Sequence, residues 1–210
     1  GSSRREARPA GRGAGLLAAS GSGSSGRVAT WPAAREGVDL VLDDGSRENS
    51  LGLTAGGQFL WLNRFTPDPA QFPLVIEEVA VLFGADSGVH QGDAVDVYVY
   101  ADPDGDGDPG TGAVPVGSLP AVPVQAVDDV TFSTWPAGGI TLPGPGDVLV
   151  GVVNRAAGLD PGTYPAAMDQ HSTAGRSWIG SYSGPPGDPP DLPASGLWGV
   201  IDDYGYPGNW

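Results

Sequence analysis

Asp102, Asp104, Asp106 and Asp108 alternate with small or turn-forming residues in Asp-Pro-Asp-Gly-Asp-Gly-Asp-Pro-Gly, residues 102–110. Four carboxylates that close repel one another in any compact loop, and a hard divalent cation removes that repulsion. Ca²⁺ suits them because it takes six to eight oxygen ligands. Gly105 and Gly107 allow the backbone to curl so that alternate side chains converge. The spacing matches Asp-x-Asp-x-Asp-Gly, the first half of the helix-loop-helix calcium motif. The second half is missing: loop position twelve, where that motif places a bidentate Glu, is Ala113. A β-strand pattern, Ala94-Val-Asp-Val-Tyr-Val-Tyr100, precedes the loop, and Pro109, Pro115 and Pro120 oppose a helix after it. The expectation is therefore a static calcium staple in a β domain, completed by backbone carbonyls, water or a distant carboxylate. A calcium sensor that opens a helix pair is not expected.

Other chemistry is sparse. His90 and His171 are the two histidines. Met168-Asp-Gln-His-Ser-Thr-Ala-Gly-Arg-Ser177 holds the ingredients of a Ser–His–Asp triad without nucleophile-elbow spacing. Asp169 and His171 fall on one face of an extended segment, which reads as a polar loop or a second metal site. Glu77 and Glu78 are adjacent, so a regular strand points them to opposite faces and denies a glycosidase pair. No phosphate loop, dinucleotide fingerprint or His-Glu-x-x-His motif occurs. These observations point away from an enzyme, with a hydrolase using Asp169, His171 and a serine as the weakest alternative. Aromatic faces stack on sugars, and Trp135, Tyr182, Tyr204 and Tyr206 lie in or beside Pro/Gly-rich stretches, so they are the candidates for a glycan platform. Trp61 and Trp178 fall within strand patterns and read as core.

The elements that must position the acidic loop are strands. The chain has 210 residues, with 35 Gly and 21 Pro between short apolar runs, the pattern of an all-β fold with many turns. In Gln58-Phe-Leu-Trp-Leu-Asn-Arg-Phe65, Phe59, Trp61 and Phe65 face one way and Leu60 and Leu62 the other, which marks a central strand. Val38–Leu42 is a strand candidate ended by Asp43-Asp44-Gly45-Ser46. Leu74–Phe83 is another, and its paired glutamates suggest a bulge. Val95, Val97 and Val99 share one face of the strand before the loop, and Asp96, Tyr98 and Tyr100 share the other. Further runs are residues 122–127, 130–134, 147–154, 176–182 and 197–201. Together they predict a two-sheet jelly-roll-like β-sandwich over residues 37–210, behind a flexible Gly/Ser/Arg-rich arm at residues 1–36. The end, Tyr204-Gly-Tyr-Pro-Gly-Asn-Trp210, reads as a turn leading into one more strand that is missing or supplied by a neighbour. Self-assembly into a homo-oligomer or filament is accordingly expected through the arm and an open C-terminal edge.

Net charge is −15, and with six Arg against two Glu in residues 1–36 the remainder carries about −19. All ten basic residues are Arg. Such a domain repels nucleic-acid phosphates and anionic membranes. No apolar run reaches the roughly 18 residues of a membrane helix. The absence of cysteine excludes a disulfide framework and thiolate metal sites. An incomplete calcium loop binds with the weaker affinity suited to millimolar extracellular calcium, so secretion or surface display is expected.

Residues 43–210 resemble an uncharacterised module of large secreted bacterial proteins, some of which carry subtilisin-like proteases. Carrying the resemblance are Asp43-Asp-Gly-Ser-Arg-Glu-Asn-Ser-Leu-Gly52, Gln58–Phe65, Val97-Tyr-Val-Tyr-Ala-Asp-Pro-Asp-Gly-Asp-Gly-Asp-Pro109, Gly175-Arg-Ser-Trp-Ile-Gly180 and Gly208-Asn-Trp210. In similar modules the chain continues as a strand. The resemblance implies an extracellular calcium-bearing β-sandwich used as an accessory or surface unit, and it carries over no catalytic residues. The reading is a non-catalytic structural or adhesive module at a bacterial surface, with a carbohydrate-binding accessory module of a secreted hydrolase as the alternative.

Overall fold

The computed structural model describes residues 16–20, 37–155 and 160–210. Eleven strands are present among them: β1 Leu16–Ser20, β2 Asn49–Leu53, β3 Phe59–Phe65, β4 Leu74–Val81, β5 Ala94–Asp102, β6 Val114–Pro123, β7 Ser133–Leu142, β8 Asp147–Asn154, β9 Ala166–Met168, β10 Ser177–Ser181 and β11 Trp198–Val200. Short 3₁₀ turns at Pro69–Gln71 and Ile201–Tyr204 are the helical elements described.

Six strands form one antiparallel sheet in the order β11-β10-β3-β8-β5-β6. The all-β sandwich expected from the sequence is what forms. β3 and β8 occupy its centre, in keeping with side chains that are apolar on both faces. On one face Phe59, Trp61, Val95, Val97, Val152 and Ile179 are buried against Leu51, Leu53, Val79, Trp135 and Met168 of the second layer. Each fully buried side chain of this size contributes roughly 1.5–3 kcal/mol. That second layer is split: β1-β2-β9 is one sheet and β4-β7 another. The expected bulge in β4 is present as a register shift between Ile76 and Glu78.

The opposite face is equally apolar. Leu60, Leu62, Tyr98, Tyr100, Leu149 and Val153 are buried there, with Trp178, Tyr182, Leu192 and Trp198 packed against them. Its cover is the Pro-rich connection between β10 and β11. Polar latches hold this cover down: Tyr100 Oη donates to Pro190 O at 2.9 Å and Tyr182 Oη to Asp191 O at 3.0 Å. Arg155 is the main latch. Nε donates to Asp96 Oδ2 (2.6 Å), and the terminal nitrogens donate to Tyr98 Oη (2.7 Å), Gln58 Oε1 (3.2 Å), Pro186 O (3.0 Å) and Gly187 O (3.1 Å). Burial raises the Asp96 pKa, but the Ala121 N–H, Arg155 and Tyr98 outweigh it and hold the carboxyl below its usual range.

Several elements differ from the sequence expectation. Residues 38–42 alternate like a strand but pair with no sheet, and Val38 and Val41 are exposed. β6 and β7 each contain prolines and meet the apolar runs that suggested strands at 122–127 and 130–134 only at residues 122–123 and 133–134, lying otherwise before the first run and after the second. Each is the edge of its sheet, the place where a residue without an N–H is tolerated. Leu16–Ser20, inside the segment read as a flexible arm, pairs antiparallel with β2 of the same chain. The rest of residues 1–36 lies outside the described residues.

The latch predicts that Arg155→Ala, which takes the cation from Asp96 and leaves it the Ala121 N–H and the Tyr98 hydroxyl, lowers stability by about 3 kcal/mol in urea unfolding. Arg155→Lys should recover only part of the loss, because an ammonium cannot span five acceptors in the plane that a guanidinium serves.

Candidate metal centre

The acidic loop joins β5 to β6 at one end of the six-stranded sheet. Asp102 is the last residue of β5 and stands opposite Asp147, the first residue of β8. Pairing with Asp147 holds the Asp102 backbone, and the residue is at 0 % exposure. Neither carboxylate oxygen of Asp102 has a hydrogen-bond partner. Two further carboxylates approach it: Asp102, Asp104 and Asp106 each bring one oxygen within 4.8 Å of the others. A buried anion without donors and facing like charges is costly unless a cation or a proton joins it. In the structure without an ion, burial first, and the Asp104 charge next, push Asp102 up to about 7.

The loop backbone is shaped for this convergence. Asp104 Oδ1 accepts from the Asp106 N–H (3.3 Å) and Asp106 Oδ1 from the Asp108 N–H (2.8 Å). Thr111 Oγ1 donates to the other Asp106 oxygen at 2.9 Å. Gly112 has φ +72°, and a Cβ there would lie 2.2 Å from Asp104 Oδ2 and 3.1 Å from Asp102 Oδ1. Only a bare backbone fits against the carboxylates at that point. Three of the four predicted ligands are therefore brought together. Asp108 is not among them: its Oδ1 turns back to accept from the Gly110 N–H at 2.8 Å. Ala113, the residue in place of the bidentate Glu, packs half-buried against the Leu60–Tyr98 cluster and anchors the loop.

Sequence reasoning missed the support beneath the loop. Asp147 is committed elsewhere, accepting from Arg64 Nη1 at 2.7 Å and Thr66 Oγ1 at 2.5 Å. Gly146 is also required, since a Cβ on it would meet Asp102 O at 2.5 Å. No local signal marks these residues, because the register of β5 on β8 is what brings them to the loop. The donor set is hard oxygen throughout, with a carboxylate left unpaired in the centre, and it fits Ca²⁺.

A second group, Asp44, Asp169 and His171, also lies within 4.8 Å. Its buried member is satisfied: Asp169 accepts from the backbone N–H groups of His171 (2.8 Å) and Asp44 (3.2 Å). His171 Nδ1 lies 3.1 Å from Ser46 Oγ and 3.2 Å from both Asp44 Oδ2 and Glu48 Oε1. Acid and hydroxyl thus meet the same ring nitrogen, whereas a triad needs them on opposite nitrogens. The Ser46 hydroxyl has two carboxylate acceptors, Asp44 Oδ1 and Glu48 Oε1. The geometry is a polar clasp between the turn at 43–46 and the segment after β9.

The four aromatic candidates do not form one platform, and Trp135 is corrected. It is 3 % exposed, lies in the core between the layers, and donates its indole N–H to Pro123 O at 2.9 Å. A tryptophan on a strand alternating Trp135, Ala137 inward is core despite the Pro and Gly beside it. Tyr182 packs half-buried on the other face of the sheet. Tyr204 and Tyr206 pack against the inter-layer core, with their hydroxyls directed to Trp198 O and Leu16 O.

With metal chelated, the raised Asp102 pKa sets a pH dependence. A carboxyl whose folded pKa exceeds its unfolded value of 3.8 stabilises below that value and loses the contribution as pH rises through about 7. In EDTA the melting temperature of wild type should therefore fall across this window relative to Asp102→Asn, and parallel curves for the two proteins would contradict the assignment.

No known protein family matches the sequence, and no curated protein matches it. Among solved structures, the fold is similar to the cysteine protease and lectin-like domains of Cwp84, a surface layer associated protein of Clostridium difficile, at 13 % identity and a TM-score of 0.47. The alignment covers 80 % of this chain and 32 % of that one, so the chain spans about a third of that structure's length.

Proposed function

We propose that this chain is a calcium-stabilised, non-catalytic β-sandwich module that works outside the cell in a structural or adhesive role at a bacterial surface. The observation that carries the reading is the Asp102 carboxylate, fully buried, without a hydrogen-bond donor, and faced by Asp104 and Asp106. Asp102, Asp104 and Asp106 would hold the ion, and the ion would supply charge neutralisation alone. This chain's own contribution is placement. β5 delivers Asp102 from the sheet, while the turn through Gly105, Gly107 and Gly112 folds the two exposed aspartates over it. Binding there would tie an eleven-residue loop to the end of β5, a strand of the sandwich core.

The extracellular placement follows from affinity. With an apolar Ala113 where a bidentate carboxylate would sit, and Asp108 turned away, the site has fewer anionic ligands than an intracellular sensor needs, and it suits calcium at millimolar levels. The resemblance to modules of large secreted bacterial proteins supports the same setting. Among the described residues no helix is long and apolar enough to cross a membrane. The carbohydrate-binding alternative loses its leading residue with the burial of Trp135.

The test is thermal unfolding at pH 7 in calcium and in EDTA. Calcium at 100 times its dissociation constant should add about 2.7 kcal/mol, several degrees in melting temperature. Asp104→Asn with Asp106→Asn, both at exposed positions, should abolish the difference while the protein stays folded. A wild-type melt indifferent to EDTA removes the reading.

A further inference from the structure

The split in the second layer leaves a slot. Among the described residues β9 pairs only with β2 and β4 only with β7, so each has one edge without a partner strand there, and a groove of about 600 Å³ is lined by both. Its floor is the central sheet, with Trp61 and Phe65 of β3 and Val150 and Val152 of β8. Val38, Val41 and Val75 line it too, and these are three of the four large apolar residues exposed among those described. An apolar floor bordered by two strand edges offers an extended segment both side-chain burial and backbone partners, and residues 37–43 of the chain line one part of it. A helix or a glycan leaves the backbone donors and acceptors of strand edges unpaired.

The groove also has a sign. Asp39, Asp43, Glu77, Glu78 and Asp169 line it, and no cationic side chain does among the described residues. One end already carries a backbone pairing, an isolated bridge: Asp169, the residue after β9, exchanges both backbone hydrogen bonds with Asn209 at 2.9 and 2.8 Å. That antiparallel rung shows that backbone pairing continues this edge past β9.

We propose that this slot is a strand-acceptor site for an extended segment of another polypeptide, apolar at alternate residues and basic at the others. The apolar side chains fill the floor over Trp61 and Val152. The intervening basic side chains project to the rim, where Asp39 and Glu77 are exposed. Backbone hydrogen bonds to β4 and β9 join the two halves of the second layer into one sheet. The site is remote from the acidic loop in sequence and chemistry, and the inference stands apart from the calcium reading.

The experiment is titration of the whole chain with a labelled seven-residue peptide of alternating Arg and Val, followed by fluorescence anisotropy. Two control peptides accompany it, one with Glu in place of Arg and one with alternate backbone nitrogens methylated. The Arg–Val peptide should bind, the Glu peptide about fivefold or more weakly, and the methylated peptide at least about tenfold more weakly, since it keeps every charge and loses one row of donors. Asp39→Arg with Glu77→Arg, both surface changes, should reverse the preference between Arg and Glu peptides. Equal binding of the methylated peptide would show a general attraction of cations to an acidic protein and overturn the proposal. So would failure of the Arg–Val peptide to bind, or an unaltered preference in the double variant. If the protein alone sediments as an oligomer that the peptide cannot dissolve, a second copy fills the slot and the proposal is likewise wrong.

Discussion

Everything in this fold answers to one constraint: β3, β8 and β5 are apolar on both faces, so the sheet they form must be covered twice. Val95 and Val97 bury into one cluster while Tyr98 and Tyr100, the intervening positions, bury into the other. Water can reach neither side without exposing large side chains, each of which favours burial by roughly 1.5–3 kcal/mol. The two covers are chemically unlike. Strands supply the first. The second is an irregular Pro-rich segment, and an irregular segment carries backbone polar groups that no ladder satisfies. Arg155 and the buried tyrosines therefore supply the donors that its carbonyls would otherwise lack.

The same rigidity makes the acidic loop meaningful. A run of aspartates on a mobile turn would spread apart in water, at little cost. Here Asp102 ends a strand of the central sheet and is paired with Asp147 of β8, which fixes its backbone. Its neighbour across the ladder, Asp147, escapes the same difficulty by pairing with Arg64 and Thr66. Two buried carboxylates at one sheet end thus have different surroundings: Asp147 is neutralised by the protein, and Asp102 receives no hydrogen bond from it.

Much of this was legible in the linear order of residues. Alternation in Phe59–Phe65 and Ala94–Tyr100 marked central strands, adjacent glutamates marked the β4 bulge, and aspartate spacing marked the loop. The misreadings share a cause. Prolines in β6 and β7 argue against strands unless those strands are edges, and edge position is a property of the whole sheet. Residues 38–42 have strand periodicity, yet periodicity describes which side chains want burial and not whether a neighbour offers hydrogen bonds. Trp135 is flanked by turn-forming residues but is drawn inward by the apolar residues of the facing layer.

The sequence by itself determined the class of fold, the two-sided core strands and the residue types able to hold a cation, because these depend on side-chain chemistry and on periods of two residues. Tertiary structure decided which carboxylates converge, which aspartate turns away, and where the second layer is interrupted. Those outcomes turn on strand register and on the accounting of buried donors and acceptors. Both are set between segments far apart in the chain, Asp102 with Asp147 and β4 with β9, and no local pattern encodes them.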